Sequence, residues 1–525
     1  MEPENKKKIE NLKRKGKRGA ARLVFGRTGL VFLLLILQIL VMIGIFQILG
    51  EYLVYGVVGY MAFTVGIVLI IINRRENPAF QLAWIVPVVL IPIFGGMMYL
   101  YVELELSSRI VNRRLRHLSN ETKEYCTQNT QVLEELKKEN PAEATFASYM
   151  EHFAQAPVYY CENVKYFPSG EAKFAEMIRR LKAAKKFIFM EYFIVSEGYM
   201  WGTILKILEQ KVREGVEVRF MYDGMCSIML LPYDYPKKLQ AMGIQCRMFS
   251  PIRPVLSTVQ NNRDHRKILV IDGETAFTGG INLADEYINR KERFGHWKDT
   301  AVMIEGAAVR SFTLMFLQMW NIPERGEHWE TYLSDVRQTE KSGGGYVIPY
   351  GDSPVDQENV GELVYMDIIN RASRYVHIMT PYLILDHEMI TALTFAAKRG
   401  VDVKIIMPHI PDKKYAFMLA KTYYGVLLEA GVQIYEYTPG FVHAKVFTCD
   451  DCRGVVGTIN MDYRSLYLHF ECAAYFYHVP EIIRMEEDFN RTLEKCQKVT
   501  MQDVRARSIW NKFGGRVLRL FAPLM

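Results

Sequence analysis

The sequence predicts an α/β protein of two tandem, related α/β/α halves that form one bipartite active site, preceded by an N-terminal transmembrane helical region. Three observations predict it. Three long uncharged apolar runs precede residue 105. Beyond residue 157, apolar strand segments alternate with amphipathic helical segments, the pattern of α/β layering. Within that part the pattern H-x-K-x4-D occurs twice, each copy at the same place after matching strand–helix–strand units.

In chain order the 525 residues divide into a basic tail (1–28), membrane-spanning helices (29–105), a helical connector (106–157), a first half (158–340) and a second half (341–525). The tail carries ten Lys and Arg against Glu2, Glu4 and Glu10, which accounts for the whole net charge of +7. The remaining 497 residues balance 55 bases against 55 acids, which argues against a nucleic-acid partner, since that needs a basic folded face. A run of this kind is first of all a solvated tail; next to an apolar run it is also attracted to an anionic membrane surface. Eight cysteines are scattered through the chain, and the lone C-x2-C of Cys449 and Cys452 has no second pair or histidine pair to complete a zinc site.

Leu30–Leu49 and Leu53–Ile72 are each twenty uncharged residues, and Leu82–Val102 is a third such run. Each is long enough to cross a bilayer core, so a multi-pass membrane location is expected. Orientation is less simple. The basic tail and Arg74-Arg75 place the N-terminus in the cytoplasm. Three full crossings would then put the catalytic part outside, whereas Arg109, Arg113, Arg114 and Arg116 after the third run favour the inside. A re-entrant third run, which carries Pro87, Pro92 and Gly95-Gly96, would reconcile them.

The first half offers a buried strand at Phe187–Val195, a helix from about Trp201 to Glu214 and a strand at Val216–Tyr222. The second offers Val376–Leu385, a helix to Arg399 and Val401–Met407. Gly215 and Gly400 follow the helices, where a left-handed capping residue is least strained without a side chain. One more strand in each (Gly243–Phe249, Gly431–Tyr437) leads to the motifs. These are His265, Lys267 and Asp272, and His443, Lys445 and Asp450; a glycine (Gly279, Gly457) stands fourteen residues past each His and an asparagine (Asn282, Asn460) seventeen past. One copy alone is a weak signal; two copies with shared spacings are not.

If His and Lys lie on strands, residues i and i+2 share a face, and the two halves converge two imidazoles and two ammonium groups on one cavity. That set suits a phosphodiester. The lysines neutralise non-bridging oxygens, with Asn282 and Asn460 as neutral donors beside them. A neutral imidazole attacks phosphorus while a protonated one serves the leaving oxygen. Asp299 and Glu471, at corresponding places after the motifs, are the candidates for carboxylates that orient the rings. Asp272 and Asp450 end their strands and read as turn-fixing or ion-pairing groups. Lysine within the motif and the lack of a carboxylate cluster speak against a catalytic metal, and no cofactor is expected.

The segments DHRKILVIDGETAFTGGINLADEY, GFVHAKVFTCDDCRGVVGTINMDYRS and NPAFQLAWIVPVVLIPIFGGMMYL resemble the phospholipase D superfamily and, within it, the bacterial cardiolipin synthases, from about residue 77 to the C-terminus. The resemblance implies phospholipase D-like halves and phosphatidyl transfer between two phosphatidylglycerol molecules, giving cardiolipin and glycerol. It further implies His265 as nucleophile and His443 as acid/base, with Lys267, Lys445, Asp272 and Asp450 completing the motifs. Hydrolysis, or transfer to another alcohol, would use the same residues. Asp264 and Lys298 stand where the family pattern has Asn and Arg. Val504–Met525 mixes five cations with apolar and aromatic residues and reads equally as a packed terminal helix or an interfacial one.

Overall fold

The computed structural model describes residues 53–103, 106–226, 230–250, 262–323, 328–333, 344–356 and 358–524, with isolated helical residues between 36 and 44. The basic tail, and nearly all of Leu30–Leu49, lie outside the described residues. One compact unit holds residues 1–110, the other residues 111–251 and 262–523.

In the N-terminal unit, Leu53–Ile72 is one helix of 20 residues without a charge. Among the described residues it is the one helix long and apolar enough to cross a membrane. Val58, Met61, Val65 and Leu69 along it are exposed, an arrangement suited to lipid rather than water. The third apolar run is not the single segment the sequence suggested. It forms two helices, Pro78–Leu90 and Pro92–Glu103, of 13 and 12 residues. The break falls at Ile91 (φ −137°, ψ 69°), because a proline ring at 92 excludes helical geometry from the residue before it. The rings of Trp84 and Tyr99 lie 5.5 Å apart. In a straight helix those residues would be separated by about 22 Å, so the chain doubles back on itself.

The connector is helical, as expected: Leu106–Thr122, Thr130–Glu139 and Pro141–Ala154. Asn140 caps the last of these by accepting from the backbone N–H groups of Ala142 and Glu143.

The strands that follow are β1 (Tyr159–Tyr160), β2 (Asn163–Phe167), β3 (Phe187–Tyr192), β4 (Glu217–Asp223), β5 (Gln245–Phe249), β6 (Lys267–Ile271), β7 (Thr275–Gly279), β8 (His296–Lys298) and β9 (Ala301–Glu305). Then come β10 (Tyr346–Asp352), β11 (Tyr375–Met379), β12 (Leu383–Ile384), β13 (Asp402–Pro408), β14 (Gln433–Tyr437), β15 (Gly440–Val442), β16 (Val446–Cys449), β17 (Arg453–Gly457), β18 (Met461–Asp462), β19 (Glu471–Tyr477) and β20 (Cys496–Lys498). One sheet runs β2-β9-β7-β6-β3-β4-β5, the other β1-β10-β19-β17-β16-β11-β13-β14-β20. Between its outer additions β1 and β20, the second repeats the strand order of the first. In each, three parallel strands (β3, β4 and β5; β11, β13 and β14) adjoin an antiparallel set. β1 belongs to the second sheet, although the sequence reading put residues 158–340 together; its ladder with β10 decides this. Gly215 (φ 87°) and Gly400 (φ 92°) end their helices left-handed.

The two sheets share one core. Phe189, Val270 and Ile304 of the first and Val347, Val446 and Phe476 of the second pack into a single buried cluster with the helices Val309–Trp320 and Glu481–Leu493. Packing is tight at the motif strands: a Cβ on Gly457 would fall 2.3 Å from the Ala473 Cβ of the neighbouring strand. Gly457→Ala is therefore expected to cost about 1–3 kcal/mol, read as a lower denaturant midpoint of the solubilised protein. An unchanged midpoint would mean that β17 and β19 can separate at no cost.

Candidate active site

The two histidines sit on extended arms, not on strands as the spacing suggested. β6 begins at Lys267 and β16 at Val446, so His265, His443 and Lys445 precede regular ladders. The reason is that each arm spends its backbone hydrogen bonds on the other sheet's connecting segment. His265 N–H donates to Phe470 O (2.9 Å) and Phe470 N–H to Arg263 O (2.8 Å). On the other side β15 pairs in parallel with β8, and His443 N–H donates to Lys298 O (2.7 Å).

This stitching delivers each ring to a carboxylate from the opposite sheet. His265 Nδ1 lies 2.9 Å from both oxygens of Glu471, the first residue of β19. His443 Nδ1 lies 2.8 Å from Asp299 Oδ2, between β8 and β9. A carboxylate at Nδ1 fixes the ring's tautomer and leaves Nε2 for chemistry. The rings are also wedged by aromatic groups: Phe193 meets His265 edge-on at 4.9 Å, and Tyr287 and Trp297 flank His443 at 5.5 and 5.4 Å. The lysine ammonium groups donate to the backbone carbonyls of the histidines two residues earlier, Lys267 to His265 O and Lys445 to His443 O, both 2.5 Å.

The site is buried and rich in cations. Burial, reinforced by Lys267, pulls His265 well below the ordinary histidine range; burial and Lys445, opposed by Asp299, bring His443 down to about 4. Both imidazoles are therefore neutral near pH 7 in the protein alone, where the sequence suggested one of each kind. A phosphodiester's negative charge would raise them again. Burial, opposed by Glu471 and Asp299 respectively, lowers Lys267 to about 8 and Lys445 to about 7. The Glu471 carboxyl is pushed up to about 8 by burial, against the pull of Lys267.

The other sequence candidates divide. Asn282 is tied at both ends, accepting from Ile194 N–H (3.0 Å) and donating to the Tyr287 hydroxyl (2.8 Å). Asn460 donates to Ser465 Oγ (2.9 Å), and its side-chain oxygen is buried without a partner. Asp272 and Asp450 do not join the histidines. Each takes a left-handed conformation (φ 56° and 53°). Asp272 accepts from the backbone N–H groups of Lys185, Lys186 and Phe187, and Asp450 from those of Ser373, Arg374 and Tyr375, at 2.7–2.9 Å. They hold the turn at the end of the motif strand against the start of the central parallel strand.

Sequence reasoning missed three residues near the histidines. Thr458 hydroxyl donates to Glu471 Oε2 and holds it toward His265. Lys173, wholly buried and lowered to about 7 by burial, donates to the Ile281 carbonyl (3.3 Å). His469 lies 5.6 Å, ring to ring, from His265. Its signal was legible in the repeat, since it precedes Glu471 by two residues as Trp297 precedes Asp299. Of the departures noted above, Lys298 donates to Asp488 Oδ2 (2.6 Å) and Pro168 O (2.5 Å), and Asp264 N–H donates to Asp223 (3.0 Å). A cavity of about 200 Å³, lined by Leu115, Met315, Tyr350 and Asp352, touches this region only through Arg266 and Phe470; the convergent titratable groups, not the empty volume, mark the centre.

A family model described as cardiolipin synthase, PLD-like domain, matches residues 177–320 and 365–493, each stretch holding one of the two motifs. The chain belongs to that family. It is accordingly an enzyme, a phosphatidyltransferase. The cardiolipin synthases of Halalkalibacterium halodurans and Geobacillus kaustophilus are each 33% identical to this member, over 88% and 87% of its chain and 92% and 91% of theirs. A protein of Streptococcus mutans serotype c, described only as uncharacterized, is 52% identical over 88% of this chain and 100% of its own. Among solved structures, the phosphatidylserine synthase of Haemophilus influenzae Rd KW20 has a TM-score of 0.55 at 13% identity, covering 72% of this chain and 97% of that one, a likeness of fold.

Because the site lysines are lowered, they carry charge only below about pH 7–8. A rise in pH through that window removes cations that an anionic phosphodiester needs. A fall in pH protonates His443 only near 4. The pH profile of kcat/KM is thus expected to be level from about pH 5 to 6 and to fall through pH 7–8; a profile that climbs through pH 8 would contradict it.

Proposed function

We propose that this cardiolipin synthase family member joins two phosphatidylglycerol molecules into cardiolipin and glycerol through a phosphohistidine, in one site built from two tandem phospholipase D-like halves. The observation that carries this reading is the crossed arrangement, in which each half supplies a histidine and the carboxylate that orients the other half's histidine. His265 Nε2 attacks the phosphorus of the first lipid, and the bond to its glycerol oxygen breaks as His443, protonated once the anionic substrate is bound, gives that oxygen a proton. The neutral His443 then takes the proton of the second lipid's hydroxyl. That oxygen displaces His265 from phosphorus, which releases cardiolipin and restores both rings. Lys267, Lys445 and the remaining amide N–H of Asn460 serve the phosphate oxygens in this scheme, Asn282 sets the loop, and Glu471 and Asp299 hold the tautomers. The lysine-rich donor set suits direct charge neutralisation without a divalent cation.

Purified protein incubated with phosphatidylglycerol and a chelator is expected to yield cardiolipin and glycerol in equal amounts. Phosphatidic acid as the sole product would sink the transfer reading, and loss of activity on chelation the metal-free one. His265→Ala is expected to abolish turnover, and His443→Ala to lower kcat by about 10²–10⁴; wild-type rates in either would refute the two-histidine scheme.

For the membrane, the doubled-back helices Pro78–Leu90 and Pro92–Glu103 support a re-entrant hairpin, since 13 and 12 residues span about 20 Å and 18 Å against a hydrocarbon core of about 30 Å. With Leu30–Leu49 and Leu53–Ile72 as crossings, the tail, Arg74-Arg75 and Arg109–Arg116 all fall on the cytoplasmic side, and the catalytic part with them. The helix Ile509–Phe521 adds an interfacial contact. Ile509, Trp510, Phe513, Val517 and Leu520 are exposed along one side of it, Gly515 is buried opposite, and Lys512 and Arg516 flank the apolar face. Single cysteines at Glu76 and Ser107 are expected to react with an impermeant thiol reagent from the cytoplasmic side only; labelling of Ser107→Cys from the other side would overturn the hairpin.

A further inference from the structure

His469 has no place in the scheme above, yet it lies inside the site. It is 9% exposed, and neither ring nitrogen has a hydrogen-bond partner. Its ring centre is 5.6 Å from that of His265, and its Nδ1 is 3.9 Å from Glu471 Oε1. The corresponding position beside His443 holds Trp297, an indole that can donate one hydrogen bond and accept none. The two sides of the site therefore differ where their repeats align. Polar atoms buried without partners are uncommon, and an imidazole in that state is available to a ligand.

Two classes of ligand compete for it. Donor atoms of His265, His469 and Glu471 lie within 4.8 Å of one another, close enough to hold a cation. The surrounding charge decides otherwise. Arg464, Lys267, Lys413 and Arg263 act on His469 electrostatically; of the nearby carboxyl groups, Asp223 is paired with Arg263, Asp462 faces Lys413 and Arg464 and accepts from Ser465 N–H, and Glu471 is committed to His265 and Thr458. The cations still outnumber these carboxyl groups, each of which is already engaged, and that makes a place for an anion. In the proposed reaction the accepting lipid brings such an anion. Its attacking hydroxyl stands at one end of a glycerol and its own phosphodiester at the other, so with the hydroxyl at the phosphorus on His265 the second phosphate lies one glycerol away. The spacing of His265 and His469 is on that scale.

We infer that His469, with Lys413 and Arg464 beside it, binds the phosphodiester of the accepting phospholipid and so selects a phospholipid over a simple alcohol as acceptor. This rests on the phosphatidyltransferase reading of the two-histidine site. The test uses the full chain in mixed micelles with phosphatidylglycerol as donor, and compares cardiolipin formation with phosphatidylethanol formation when ethanol is the acceptor. His469→Phe, which puts an aromatic ring where the other side has one, is expected to lower cardiolipin formation at least tenfold with a raised KM. Phosphatidylethanol formation should stay within about twofold, because ethanol has no phosphate to bind, and His469→Gln should restore part of the loss. Lys413 is exposed, so Lys413→Gln tests the same subsite without disturbing the core and should show the same selective loss in smaller measure. Parallel loss of both products, or no change in either, in the folded variants would overturn the assignment. So would inhibition by added zinc that His469→Phe relieves while the product ratio stays the same. Failure of the underlying reading looks different, since the unmodified protein would then form neither cardiolipin nor phosphatidylethanol.

Discussion

Each catalytic-motif histidine is held at Nδ1 by a carboxylate from the other sheet, and the rest of the folded unit is arranged around those two crossed bonds. Glu471 and Asp299 are fully buried. A carboxyl group in that position needs hydrogen-bond partners, and besides Thr458 for Glu471 and Thr300 N–H for Asp299 each has an imidazole delivered from across the sheet boundary. The arms that carry the rings take their backbone partners from the same foreign segments, Phe470 for His265 and Lys298 for His443. The shared apolar core follows from this, because the sheets must meet face to face for both crossings to form at once.

Burial that makes the pairs necessary also sets their chemistry. In a buried site with several cations, neutral imidazoles are favoured and ammonium groups are held near the edge of losing their protons. Such a site is poised for an anion, whose arrival stabilises every cation in it and, in the proposed reaction, restores the protonated state needed for an acid. The turn aspartates serve this indirectly. By capping three backbone N–H groups apiece, Asp272 and Asp450 fix where each motif strand ends, and hence where the arm before it begins.

Much of this was legible in the amino-acid order. The paired motifs, the strand–helix–strand units, the glycine caps and the helical connector all announce themselves through local rules of periodicity and turn chemistry. Asp299 and Glu471 were visible from their matching places after the motifs. What local rules missed has a common cause. That His265, His443 and Lys445 lie outside the strands depends on which backbone groups the arms bond to, and those partners are distant in sequence. Tyr159–Tyr160 was assigned with its sequence neighbours for the same reason, while its ladder partner Tyr346–Val347 lies far along the chain. The third apolar run divides because Pro92 bars helical geometry at Ile91; the prolines and glycines marked the run as a re-entrant candidate in the sequence, but not where it breaks.

By itself, then, the sequence determined the chemistry available to this protein: two imidazoles and two ammonium groups in repeated motifs, behind apolar segments suited to a bilayer. These depend on residue type and short-range spacing, which a linear text records. Only the tertiary structure decided which carboxylate serves which histidine, which backbone N–H groups the turn-fixing motif aspartates hold, and that a third imidazole stands unpaired beside His265. Those facts belong to pairings across the two sheets, and a pairing between distant residues is set by how the buried faces fit together, not by either residue's neighbours in the chain.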